Sequence, residues 1–241
     1  MRATVIVLTV VGIVIAIAVL LVDPLRDSSS DRPGDTASPA RGTPVTPTPP
    51  LPDDVDLAAW AARTARPIGL PARALSAYGA AELRQAEATP DCGVSWTTLA
   101  AIGRVESDHG RLGRADLDAD GVARPPVVGV ALDGGPGLAE IRDTDGGRLD
   151  GDRDHDRAVG PMQFLPTTWA RHGVDGDGDG VRDPHDLDDA AASAAAYLCA
   201  NGRDVTDGDD WWSGVLTYNR SVDYARRVWA AADRYAGAVA P

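Results

Sequence analysis

The sequence predicts a mainly α domain interrupted by one irregular, Asp- and Gly-rich insertion. Three observations carry this. From Leu57 onward Ala, Leu and aromatic residues recur at helical spacing, and the long β-branched alternations of a sheet are missing. Between 111 and 157 the chain turns Gly- and Asp-rich, with one short apolar run, PPVVGVAL.

The elements follow in order. Residues 3–22 (ATVIVLTVVGIVIAIAVLLV) carry no charge. Twenty helical residues span roughly 30 Å, the hydrocarbon thickness of a bilayer. No small-residue cleavage site follows the run, so 1–22 is expected to be a retained membrane anchor, with a cleaved export signal as the alternative. Either would put the working domain outside the cytoplasm, membrane-anchored or secreted. Residues 23–54 hold eight of the eighteen prolines and no aromatic, a composition expected to form a disordered tether of up to about 100 Å. The folded domain is expected over 55–241.

Within it, LAAWAARTA and PARALSAYGAAELRQAEA read as helices, with Pro71 suited to a first turn. Ser95 is a plausible N-cap for WTTLAAIGRVESDHG, which stops at Gly110. Further helices are expected at 166–172, 187–201, 209–218 and 221–236, and a small hairpin fits the insertion. Paired Trp211 and Trp212 read as packing residues.

The net charge of −13 argues against nucleic acid as a partner, since phosphates would be repelled. The acidity comes from 32 Asp and only four Glu, and the chain has no Lys. Short carboxylates clustered with Gly suit a hard cation such as Ca²⁺. Cys92 and Cys199 read as one disulfide in an exported protein, closing about a hundred residues and contributing roughly 4–5 kcal/mol in the chain-entropy model. Two buried thiols are the alternative.

Glu106 is the candidate acid. Leu99, Ile102 and Val105 form the apolar face of its helix, and a carboxyl pressed on apolar groups has a raised pKa. That is what protonating a glycosidic oxygen near neutral pH requires. Asp108 points about 200° away around the helix, so it cannot readily act on the same bond.

The segments VESDHGRLG, AVGPMQFLPTTWARHG (158–173) and VLTYNRS (215–221) together resemble the lytic transglycosylases, especially the membrane-bound type B family and its actinobacterial relatives. The resemblance covers about 180 residues and implies a lysozyme-like α domain acting on peptidoglycan glycan strands. It makes Glu106 the only catalytic carboxylate, with Ser107 and Gly110 completing its motif. It puts Gly160, Pro161, Met162, Gln163 and Phe164 along the sugar cleft. Gln163 offers a donor and an acceptor to a sugar hydroxyl or acetamido group. By type Met162 and Phe164 are both more often core than cleft, and of the two only Met162 is placed at the site. Tyr218 and Asn219 match the Tyr-Asn pair, Tyr218 holding the Glu106 carboxyl or the substrate N-acetyl group, or else serving as a core tyrosine. The implied product is a 1,6-anhydromuramoyl end, formed without a catalytic cofactor. Asp residues at 143–156 keep open a second carboxylate and hence hydrolysis, and a non-catalytic wall-binding scaffold is the third reading.

Residues 175–186 (DGDGDGVRDPHD) match an EF-hand loop: Asp175, Asp177 and Asp179 at positions one, three and five, Gly180 at six, the Val181 carbonyl at seven, Asp183 at nine and Asp186 at twelve. Asp in place of Glu at twelve departs from the pattern. The expected ion is structural Ca²⁺.

Overall fold

The structure is a computed structural model and describes residues 38–239. The expected anchor at 1–22 and the first part of the tether, 23–37, lie outside the described residues. Among the described residues no helix is long and apolar enough to cross a membrane.

Seven helices carry the fold: α1 (Leu57–Ile68), α2 (Ala72–Ala88), α3 (Trp96–Ser107), α4 (Pro166–His172), α5 (Leu187–Leu198), α6 (Gly208–Tyr218) and α7 (Val222–Val239). The starts follow cap chemistry. Asp56 accepts from Ala59 N at 3.0 Å, and Asp207 accepts from the amides of Asp209 and Asp210. Ser95 does stand at the N-cap of α3, but its side chain makes no cap bond. Buried Glu82 of α2 does that work, accepting from Trp96 N at 2.6 Å and from Leu51 N at 2.8 Å.

α3 packs on α7, and α2 on both α1 and α5. The shared core is rich in Ala, which lets the helices approach closely around Leu75, Leu99, Ile102 and Leu187. Trp211 and Trp212 are buried in it as expected, Trp211 Nε1 donating to Thr98 Oγ1 at 3.1 Å. Cys92 and Cys199 form the expected disulfide, 107 positions apart in sequence, and join the end of α2 to the end of α5.

The insertion contains the small hairpin, Asp116–Leu117 paired antiparallel with Ala123–Arg124. Its many carboxylates organise the loop itself. Asp143 accepts from the amides of Asp145, Gly146 and Gly147, and Asp156, with no exposed surface, accepts from Thr144 N and Oγ1.

The tether boundary moves. Residues 38–54 were expected to continue a disordered linker, but they lie as a strap along α2, α6 and α7. The Thr43 carbonyl accepts from the indole N–H groups of both Trp212 and Trp229, each at 3.0 Å, and Thr46 Oγ1 donates to Asp233 at 2.5 Å. Proline-rich composition opposes self-folding, but an extended segment can still dock where aromatic donors meet its carbonyls.

Candidate active site

Glu106 sits in the last turn of α3 and is partly exposed. Its Oε1 accepts from the Tyr224 hydroxyl at 2.6 Å. Burial raises the Glu106 pKa to about 7, against the opposing pull of the Tyr224 hydrogen bond and the nearby Arg227 charge. The carboxyl is therefore divided between its two protonation states near neutrality, as a group that must both give and take a proton should be.

The loop after Glu106 is unusual. Asp108, His109 and Gly110 are all left-handed, with φ 51°, 63° and 83°. For a residue with a side chain this costs on the order of 1–3 kcal/mol, so other contacts must hold it. Ser107 supplies one, donating to the Pro161 carbonyl at 2.5 Å and accepting from Gly110 N at 2.7 Å. Asp108 pairs with Arg111 at 3.0 Å.

Ser107 thus binds α3 to the 160–164 loop. Expected among the substrate-binding residues, Ser107 is 2% exposed here, with its hydroxyl engaged in this clip. The loop is a tight return, with Val159 and Phe164 exchanging both backbone hydrogen bonds. Gly160 is required there, because a Cβ would collide with the Pro184 carbonyl. Met162, expected at the site, is fully buried with its sulfur against Gly103, one turn before Glu106. It forms the floor beneath the carboxyl and presents nothing to solvent. Phe164 is in the core as expected, edge-on to Trp169 and Tyr218.

Gln163 is the loop residue left partly open, with left-handed φ of 50°. Its Nε2 donates to the Gly160 carbonyl at 3.0 Å, while its Oε1 lies beside Gly129, too close to allow a Cβ there.

Of the two roles open for the Tyr218 hydroxyl, neither is seen: it donates to the Met162 carbonyl at 2.6 Å. Asn219, buried, accepts from Ser221 N at 3.0 Å just before α7. Both fix the α6–α7 corner that carries Tyr224. Tyr224 is the residue sequence reasoning missed. The sequence offers only a second tyrosine five residues after Asn219, at the start of α7, and nothing in it says which hydroxyl meets Glu106.

The acidic loop gathers a different set from the one the EF-hand register gives. Carboxylate oxygens of Asp175, Asp177 and Asp189 lie within 4.8 Å of one another. Asp186 caps α5, accepting from Asp188 N at 2.7 Å, which turns it away from the twelfth-position role. Asp189, in the first turn of α5, completes the converging trio and accepts from Gly176 N and Asp183 N. Asp179 and Asp183 accept from Val181 N and His185 N within the loop, and the Val181 side chain is exposed. Converging carboxylates with no His or Cys suit a hard cation. A second trio, Asp143, Asp145 and Asp156, converges in the insertion.

Residues 157–215 match the family model of the transglycosylase SLT domain. That stretch holds the 160–164 loop, α4, the acidic loop, α5 and most of α6, and stops short of Tyr218. Over that stretch the chain is similar to the transglycosylase SLT domain. Two solved structures similar in overall shape are both Escherichia coli lytic transglycosylase Slt35. The complex with bulgecin A is 15% identical with a TM-score of 0.45, covering 78% of this chain and 80% of that one. The complex with calcium has the same identity and TM-score and covers 77% and 80%. No curated protein matches the chain in sequence.

Proposed function

We propose that the chain cleaves the β-1,4 bond between N-acetylmuramic acid and N-acetylglucosamine without water, with Glu106 as its single acid and base. The carrying observation is the Glu106 carboxyl, its pKa raised to about 7 and held by Tyr224. The groups that tune it are Tyr224 and Arg227, and no carboxylate is among them. The Asp143, Asp150, Asp152 and Asp156 carboxylates are engaged by loop amides, by Thr144 or by Arg157. This favours a one-carboxylate reaction over the two-carboxylate scheme of most glycosidases.

In that reaction protonated Glu106 delivers its proton to the bridging oxygen as the bond to muramoyl C1 breaks. The substrate's 2-acetamido oxygen stabilises the positive charge at C1. The Glu106 carboxylate then takes the proton of the C6 hydroxyl as O6 bonds to C1. The acid is regenerated and the product is a 1,6-anhydromuramoyl end. Gln163 is the loop side chain placed to meet the glycan, and Met162, Ser107, Tyr218 and Asn219 hold the floor and the α6–α7 corner.

A calcium ion on Asp175, Asp177 and Asp189 would neutralise the loop and fix α5 against the 160–164 loop, through the Pro184–Gly160 contact. Its role is structural. Segment 1–22 would serve as anchor or export signal for the domain.

The test compares solubilisation of purified peptidoglycan by the chain and by Glu106→Gln, with new reducing ends titrated in parallel. Release without reducing ends, lost in Glu106→Gln, is expected. Release with one reducing end per cut would make the enzyme a muramidase.

A further inference from the structure

His109 follows Glu106 by three residues and has no exposed surface. It is the middle member of the left-handed run Asp108–Gly110, at φ 63°. Gly prefers that region, whereas Asp108 and His109 each need other contacts to hold them there. Support comes from two helices. Nδ1 lies 3.1 Å from the Tyr78 hydroxyl of α2, and Nε2 lies 3.2 Å from the Tyr235 hydroxyl of α7. A neutral imidazole has one donor and one acceptor nitrogen, so one tyrosine donates to the ring and the other accepts from it. Burial, aided by the Arg111 and Arg104 charges, pushes the His109 pKa down to about 3. The ring is therefore neutral wherever Glu106 works, and both hydrogen bonds persist.

The connections converge on the acid. His109 N donates to the Gly103 carbonyl at 2.9 Å, closing the last turn of α3 around Glu106. The Tyr78 hydroxyl lies so close over Gly103 that a Cβ there would collide with it. Helix α7 supplies a tyrosine to each residue, Tyr224 to Glu106 and Tyr235 to His109. Those tyrosines are spaced roughly three turns apart and share one face of α7.

We infer that His109 is a positioning residue for Glu106, its clamp between Tyr78 and Tyr235 holding the left-handed turn that aims the carboxyl at Tyr224 and the cleft. This rests on Glu106 being the catalytic acid. A His109 that merely filled the core could lose a hydroxyl partner and cost stability alone. A positioning His109 passes the loss to Glu106, whose carboxyl turns further into water and whose pKa falls.

The chain has four glutamates, so carboxyl ¹³C-glutamate labelling gives four titrating resonances, with Glu106 identified by its loss in Glu106→Gln. The full chain, Tyr235→Phe and His109→Gln would be compared by this titration and by steady-state kinetics on soluble glycan strands. Tyr235→Phe removes one hydroxyl without opening a void, and His109→Gln keeps one hydrogen bond should a larger change not fold. The expectation for Tyr235→Phe is a kcat lower by about five- to tenfold with KM within about twofold, and a Glu106 midpoint moved down from about 7. His109→Gln should fall between it and the unsubstituted chain. Folded variants with unchanged kcat and unchanged Glu106 midpoint would overturn the positioning role. If Glu106→Gln itself turned over normally, the catalytic reading beneath it would fail instead.

Discussion

Tyr224 donates to Glu106 Oε1 at 2.6 Å across 118 residues of sequence, from the first turn of α7 to the last turn of α3. A hydrogen bond to the ionised form favours it, so this contact pulls the Glu106 pKa down while burial pushes it up. Tyr224→Phe should therefore raise the pKa further and shift the alkaline limb of the rate profile above pH 7. We expect kcat to drop on the order of tenfold, because the carboxyl loses its fixed orientation. Tyr218→Phe, which removes only the bond to the Met162 carbonyl, should leave that limb in place; a pH–rate profile of each variant separates the two roles.

The same raised pKa makes Glu106 a cost to the fold. The folded-state pKa of about 7 exceeds the ordinary 4.5, so the folded chain binds the extra proton between those values. Stability is thus highest below the unfolded pKa and falls as pH rises through the folded one. Glu106→Gln should stabilise the domain by about 1–3 kcal/mol above pH 7 and have little effect below pH 4.5. Thermal unfolding at both pH values measures the difference, and equal gains at both would remove burial as the cause.

Calcium should distinguish Asp189 from Asp186. Asp189→Asn removes a charge from the converging trio and should weaken calcium binding by at least about tenfold in calorimetry. Asp186→Asn keeps an oxygen that can cap α5 and should have the smaller effect. The opposite ranking would restore the twelve-residue register.

Residues 38–54 should count as part of the domain. A chain beginning at 55 loses the Thr43 carbonyl from Trp212 and Trp229, and loses Leu51 N from buried Glu82. Denaturant unfolding should show it to be less stable than a chain beginning at 38, by about 2–4 kcal/mol. Equal stability would make the strap a passive contact.

These differences show what sequence reasoning can reach. Helices α1 to α7 were legible because their periodicity and caps are local; Glu106 was singled out because its motif stands in order with the 158–173 and 215–221 segments, since its apolar neighbours alone do not separate it from a solvated last-turn residue. Tyr224 was not, since Tyr218 and Tyr224 both fall in the α6–α7 region and only the fold shows which hydroxyl meets Glu106. The burial of Ser107 and Met162 was not legible, because motif spacing does not show which of its residues face the core. The convergence of Asp189, rather than Asp186, with Asp175 and Asp177 was not legible because counting along a loop does not reveal which carboxylate will cap the next helix. The strap escaped notice because Trp212 and Trp229 lie far from Thr43 in sequence.

The central claim is tested most directly by mass spectrometry of muropeptides released from purified peptidoglycan in ¹⁸O-water. Cleavage by Glu106 alone predicts products about 18 Da lighter than their hydrolysed counterparts, with no ¹⁸O incorporated and no product from Glu106→Gln. Products carrying one ¹⁸O at a reducing end would contradict it, since water would then have been the acceptor.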